Sequence, residues 1–419
     1  MSLAPSLSSP PELELLQGGE EFFPALIAAI DGAAQWVQFE TYIFDLHGAG
    51  ALVAESLIRA ASRGVTVQVL VDGIGTEPIS QVWQKKFSAS GIAWCVYSPL
   101  AAGLGGFGIL VPDRWRRLHR KLCVVDQRLL FCGGINVLDD FYDPNYGELA
   151  HARFDFALAA TGPLVADAVD AMALLWWRVQ AGYSARQRHL SAAWERVKAA
   201  GYGGRVDASA LSPAKPSRAG QRRLVPRPGT KAVLVLRDNL RNRGSIEKAY
   251  LRAINNSRQE ILIANAYFLP GGRLRRALVR AAKRGVKVTL LLQGRYEYFM
   301  QYHAARPVYD KLLSVGIELY EYEKSFLHAK VAVIDSHWAT VGSSNLDPLS
   351  LLLAREANVV VEDVAFATDL RTRLLAAIAS QGRRIDAVTY SQRPLGQRLL
   401  GRIAYALMRL AIFVTGQRY

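Results

Sequence analysis

The sequence predicts an α/β protein built from two similar halves, and three observations carry that prediction. Arg59-Ala-Ala-Ser-Arg-Gly-Val65 returns as Arg280-Ala-Ala-Lys-Arg-Gly-Val286, an offset of 221 residues. Each copy follows a stretch of helical periodicity and precedes an alternating apolar run, as a helix leading into a strand would. Upstream, Val37-Gln-Phe-Glu-Thr-Tyr-Ile-Phe44 and Ile261-Leu-Ile-Ala-Asn-Ala-Tyr-Phe268 both read as strands, which sets Tyr42 against Tyr267 in the repeat. Helix, strand, helix, strand in each half is the pattern of a sheet covered by helices.

The length of 419 residues suits two to three domains at about 150 residues each. Apolar residues at 51% and charged residues at 21% give large buried cores and exclude a disordered chain. Lys and Arg number 51 against 36 Asp and Glu, so the net charge of +15 favours nucleic acid, anionic lipid or another phosphate-bearing partner. Cys95, Cys123 and Cys132 are odd in number and lack a C-x-x-C spacing, which argues against a disulfide framework or a zinc site and for a reducing cytoplasm. There is no uncharged apolar run of about 18 residues, and Met1-Ser-Leu-Ala-Pro5 lacks the features of a signal peptide. The expectation is a chain neither membrane-spanning nor secreted.

In chain order, residues 1–210 form the first half, with Gly64 where its second helix stops. Gly103-Leu-Gly105-Gly-Phe-Gly108 fits G-x-G-x-x-G, but Ile109-Leu-Val-Pro112 follows in place of a helix, so the loop is read as a cleft lip or plain surface loop. Trp176-Trp177 is read as core or interface packing, and Glu40 as a cleft-side acid or a buried paired carboxylate. Residues 211–231 hold four prolines and six basic residues with no acid, a basic linker. Residues 232–390 form the second half, where Gly285 takes the place of Gly64. In 391–419 an amphipathic helix carries Arg398, Arg402 and Arg409 on one stripe and Leu399, Leu400, Ile403, Leu407, Leu410 and Phe413 on a broad face. Two readings stand for it: an interfacial helix lying along a membrane, or a closing helix packed on the second half.

The chemistry sits in a second repeat. His119-Arg-Lys121-Leu-Cys-Val-Val-Asp126 is followed, after six residues, by Gly133-Gly134-Ile-Asn136. His328-Ala-Lys330-Val-Ala-Val-Ile-Asp335 is followed, after six residues, by Gly342-Ser343-Ser-Asn345. One such match is a weak signal; two at equivalent points of a duplicated chain are not coincidence. Leu122–Val125 and Val331–Ile334 read as strands, so His119 shares a face with Lys121 and His328 with Lys330. Asp126-Gln-Arg128 and Asp335-Ser-His337 read as hairpin turns that send the chain back toward each asparagine. Two copies about a pseudo-twofold axis then surround one cleft with two His, two Lys and two Asn.

That set suits a phosphodiester. Lysines neutralise the non-bridging oxygens and carboxamides donate hydrogen bonds to them, so no metal is required. One imidazole can attack phosphorus to give a phosphohistidine, while the other protonates the departing alkoxide and later takes a proton from the acceptor.

At these residues the sequence resembles the phospholipase D superfamily, marked by paired H-x-K-x-x-x-x-D-x6-G-S-x-N motifs, over about residues 15 to 390. The resemblance implies two pseudo-twofold-related phospholipase D-like α/β/α domains with the active site at their interface. It implies His119 and His328 as nucleophile and general acid and base, with His119 favoured as nucleophile. Lys121, Lys330, Asn136 and Asn345 match the family's phosphate ligands. Asp126 and Asp335 match its motif aspartates, grouped with the catalytic set but read as supports of strand and turn. Asp155 and Glu356 match the acidic residues that orient a histidine. Gly134 departs from the pattern, standing where Ser343 keeps the serine.

Leu16-Gln-Gly-Gly-Glu-Glu-Phe-Phe-Pro24, Phe39–Phe44 and Arg116–Lys121 are similar to the bacterial cardiolipin synthases of the type without N-terminal transmembrane helices. By that resemblance the reaction is transfer of a phosphatidyl group from one phosphatidylglycerol to another, with release of glycerol and without a cofactor. The partner is an anionic phospholipid surface at the cytoplasmic face of the bacterial membrane, with no nucleic acid expected. Two alternatives remain at this point: a phosphodiesterase hydrolysing phospholipid or nucleic acid with the same residues, and a non-catalytic anion-binding protein.

Overall fold

The computed structural model describes residues 13–98, 116–186, 232–238, 242–295 and 299–414. The glycine loop, the basic linker and Phe413 of the C-terminal helix fall outside the residues or side chains described. A seven-stranded sheet holds, in spatial order, Leu13–Gln17, Phe156–Ala160, Leu129–Gly133, Lys121–Val125, Trp36–Thr41, Thr66–Asp72 and Ala93–Tyr97. An eight-stranded sheet holds Ala232–Arg237, Glu356–Glu362, Trp338–Gly342, Lys330–Ile334, Glu260–Asn265, Lys287–Gln293, Glu318–Tyr322 and the short Gly382–Arg384. The first seven positions correspond one to one, in order and direction, so the duplicated sequence has folded into duplicated α/β units.

The strands carrying the motifs are apolar on both sides because both sides are covered. Leu122 and Val124 face the other half, in a core shared with Val331, Val333, Val341 and Val359. Cys123 and Val125 alternate to the outer face, against Phe22, Leu26, Val53 and Leu57 of the helices Gly18–Asp31 and Gly48–Ser62. The helices Pro163–Arg186 and Val364–Gln381 insert Leu164, Ala168, Met172 and Phe366, Leu370, Leu374 into the core between the sheets. Each of these leucine, methionine and phenylalanine side chains, fully buried, is worth roughly 1.5–3 kcal/mol of transfer free energy. The two halves are therefore joined by hydrophobic burial across a common core.

The Arg-Gly-Val repeat has a mechanical reason. Arg63 donates to the carbonyls of Ile30 and Ala33, and Arg284 to those of Ile254 and Ser257, each tying its helix end to the helix before it. Gly64 and Gly285 then turn the chain at φ of +91° and +87°, where a side chain would be strained. The motif hairpins turn as the sequence implied: Asp126 and Gln127, Asp335 and Ser336 all have φ between 46° and 55°, with Asp126 at 47° and Gln127 at 54°.

For Trp176 and Glu40 the plainer expectations hold. Trp176 is buried with Leu70 and Leu118, and Glu40 is a buried carboxylate paired with Arg120. The three cysteines are free, two of them buried. The helix Leu395–Val414 packs on Phe299–Leu313 through its small residues, Gly401 and Ala404, while its leucines stay outside. No described helix is long and apolar enough to cross a membrane.

Candidate active site

The two halves meet by exchanging backbone hydrogen bonds at the motif histidines. His119 N–H donates to the Arg355 carbonyl at 3.0 Å, and His328 N–H to the Phe154 carbonyl at 2.8 Å. Parallel bridges pair Leu118 with Arg355 and Phe154 with Leu327. Each histidine thus lies two residues before its own strand, held by the residues that lead into a strand of the opposite half.

The side chains cross in the same way. His119 Nδ1 lies 3.0 Å from a carboxylate oxygen of Glu356, and His328 Nδ1 lies 2.6 Å from Asp155. Each imidazole of one half is oriented by the acid of the other, leaving the second ring nitrogen to the cavity. Both histidines line one cavity of about 700 Å³, together with Asn136, Asn345, Asp155, Tyr42 and Tyr267. Its remaining wall mixes apolar residues, among them Ile43, Leu138, Leu353 and Leu407, with Arg117, Arg153, Asp140 and Asp347.

The lysines are placed differently from the convergence expected on the cleft. Lys121 and Lys330 are buried and are not part of the cavity wall; each ammonium donates to the carbonyl of the motif histidine two residues earlier, Lys121 at 2.7 Å. The reason is the strand itself. Its pleat carries the i+2 side chain along the same face but one repeat deeper into the sheet. Tyr42 bridges this pair, its ring 4.9 Å from the His119 ring and 5.4 Å from Lys121 Nζ.

The motif aspartates sit at the other end of the strands. Asp126 accepts from the N–H groups of Ala34, Gln35 and Trp36, each at 2.8 Å, and Asp335 from those of Arg258, Gln259 and Glu260. Neither lines the cavity. Burial works to raise the Asp126 carboxyl, but the three backbone donors outweigh it and hold it below the usual range. These residues anchor the loop before the neighbouring strand, a support role rather than a place beside the reacting atoms.

The electrostatics of the cavity follow from burial. Burial lowers His119, against the opposing pull of Glu356. Burial, with Lys330 and Lys121, presses His328 well below an ordinary imidazole. Lys121 falls to about 7, mainly by burial, and Asp155 rises to about 7 by burial despite Lys330. The depressed Lys121 ammonium behind the cavity favours an anionic guest, which would restore its charge.

The halves differ at one point. Ser343 donates to Glu356, while Gly134 has no side chain, and a Cβ there would lie 2.3 Å from an oxygen of Asp155. Asp155, one methylene shorter than Glu356, brings its carboxylate into the space a serine would take. Of the wall, Tyr42 and Tyr267 were visible as equivalents in the repeat. Arg117, Arg153, Asp140 and Asp347 carry no motif. Arg117 is fixed by Asp72, a partner from another strand, and Asp140 by the N–H of Gly19, contacts that only the fold creates.

A family model described as "Cardiolipin synthase, PLD-like domain" matches residues 26–148 and 250–378 of this chain. The chain is 35% identical over 385 residues to cardiolipin synthase B of Salmonella typhi, covering 90% of this chain and 82% of that protein. It is 34% identical over 391 residues to cardiolipin synthase B of Escherichia coli K12, covering 91% and 84% respectively. Among solved structures, phosphatidylserine synthase of Haemophilus influenzae superposes with a TM-score of 0.67 over 96% of this chain and 95% of that one, at 14% identity, a likeness of fold.

Proposed function

The chain belongs to the cardiolipin synthase, PLD-like domain family, and from that membership we propose that it joins two phosphatidylglycerol molecules into cardiolipin and releases glycerol. The observation that carries the reading is the crossed pair of imidazoles, each held at Nδ1 by the other half's carboxylate, opening on one partly apolar cavity.

In the proposed sequence His119 Nε2 attacks phosphorus of the donor lipid, and the bond from phosphorus to the glycerol headgroup breaks. The departing alkoxide takes the proton of His328 Nε2, and glycerol leaves. The terminal hydroxyl of a second phosphatidylglycerol then returns a proton to His328 while its oxygen attacks phosphorus. The bond to His119 breaks and cardiolipin is formed. Glu356 and Asp155 keep each ring in the tautomer that presents Nε2. Lys121 and Lys330 offset the negative charge building on the phosphoryl oxygens, and Asn136 and Asn345 donate to them. The bound phosphodiester also raises the pKa of His328, so the acid gains its proton when substrate is present.

The same reading divides the chain at 1–210, 211–231, 232–390 and 391–419 and places the enzyme at an anionic membrane surface on the cytoplasmic face. Apolar wall residues such as Ile43, Leu138 and Leu353 suit a glyceride better than a polynucleotide. The test is incubation of purified protein with labelled phosphatidylglycerol in the presence of chelator, followed by separation of products. Cardiolipin with equimolar glycerol is expected. Phosphatidic acid as sole lipid product would mean that water is the acceptor and would overturn the synthase reading.

A further inference from the structure

The C-terminal helix Leu395–Val414 wears its apolar face outward. Leu395 is 79% exposed, Leu399 59%, Ile403 48%, Leu407 51% and Leu410 58%. At 100° per residue these side chains fall on one arc of about 120°, roughly opposite the Gly401 and Ala404 surface that packs on Phe299–Leu313. Arg402 and Arg409 are exposed and, with Arg398, form a stripe along one edge of that arc. An amphipathic helix serving only as a lid on the core would bury its leucines; this one buries its small residues and leaves the leucines to solvent.

The arc runs into the cavity, because Leu407 belongs both to the exposed face and, with Met408, to the cavity wall. The loop of Asp143, Pro144 and Asn145 lines the same cavity, and it is flanked by Phe141, Tyr142 and Tyr146, which are 56%, 42% and 47% exposed. An apolar helix with a cationic edge and an aromatic loop thus frame one mouth. Aromatic rings and arginines beside leucines are the side chains that settle at a lipid interface.

We infer that this face docks on the surface of an anionic bilayer, with the leucines entering the acyl boundary, the arginines on lipid phosphates and the cavity opening directly onto the membrane. The occupant is a bilayer rather than a second protein because the face is continuous with the mouth of the cavity; a protein seated there would cover the entrance. This rests on the lipid-transferase reading and adds to it the surface that meets the substrate.

The experiment is flotation of the full chain with vesicles of phosphatidylglycerol and phosphatidylcholine, comparing wild type with Leu399→Glu/Ile403→Glu and, separately, Arg402→Gln/Arg409→Gln. Thermal melts check folding, and turnover is followed on short-chain phosphatidylglycerol dispersed below its micelle concentration. The acidic variant should lose vesicle binding at least tenfold while keeping its rate on dispersed lipid within about threefold. The glutamine variant should lose the preference for phosphatidylglycerol over phosphatidylcholine vesicles. Unchanged flotation of both folded variants would overturn the docking surface. So would a wild-type dimer that the acidic variant dissolves without loss of vesicle binding, since the face would then join two copies. Absence of cardiolipin from wild type would strike the transferase reading instead, leaving the flotation result to stand alone.

Discussion

Restoring the serine that the motif of the first half lacks should damage the enzyme. A Cβ at Gly134 would sit 2.3 Å from Asp155 Oδ1, 2.7 Å from Oδ2 and 2.8 Å from Cγ. Non-bonded carbon and oxygen atoms need about 3.2 Å or more, so the carboxylate must retreat by close to 1 Å. It cannot do so and keep its place, because it accepts from His328 Nδ1 at 2.6 Å and from Phe156 N–H at 2.8 Å. Moving a positioning group by about 1 Å costs on the order of 10²-fold in rate, and overpacking a filled site costs about 1–3 kcal/mol in stability. Gly134→Ser and Gly134→Ala share the same Cβ and should therefore fall together, about 10²-fold in kcat for cardiolipin formation, with lowered melting temperature. A Gly134→Ser enzyme within twofold of wild type would refute the steric argument. An active serine variant beside an inactive alanine variant would show that the hydroxyl, not the space, is what matters.

Four further outcomes are expected. His119→Ala and His328→Ala should each abolish turnover in the labelled-lipid assay, and retained activity in either breaks the two-histidine scheme. Asp155→Asn should lower kcat yet melt at higher temperature than wild type at pH 8. The raised carboxyl of Asp155 contributes stability at low pH that is lost as pH rises through about 7, and the amide removes that loss. The profile of kcat/KM against pH should be bell-shaped with apparent limbs close to 7, ionisation of Asp155 on the acid side and loss of the Lys121 proton on the alkaline side. Bound phosphodiester favours charged Lys121, so the kcat profile should extend further into alkali. Asp126→Ala and Asp335→Ala strip acceptors from three backbone N–H groups each and should lower the denaturation midpoint, with a depressed carboxyl at Asp126 making that contribution fade as pH falls through its folded pKa.

The sequence alone determined the duplication, the α/β class and the paired motifs. Each is written in short-range pattern: a heptapeptide repeated at an offset of 221 residues, apolar runs between glycines, and a fixed spacing from histidine to asparagine. Pleat and turn chemistry act over a few residues, so the hairpins at Asp126 and Asp335 were legible too. The tertiary structure decided which acid serves which histidine. Asp155 follows His119 in the chain yet binds His328, 173 residues away, and Glu356 follows His328 yet binds His119, 237 residues away, because the strand ends of the two halves exchange backbone bonds. It also put the lysines behind the histidines, and it turned the leucines of the last helix outward by giving Gly401 and Ala404 a close-fitting partner in Phe299–Leu313. Periodicity marks a helix as amphipathic; which face is covered depends on the shape of the surface it meets, and that surface comes from residues about a hundred positions away.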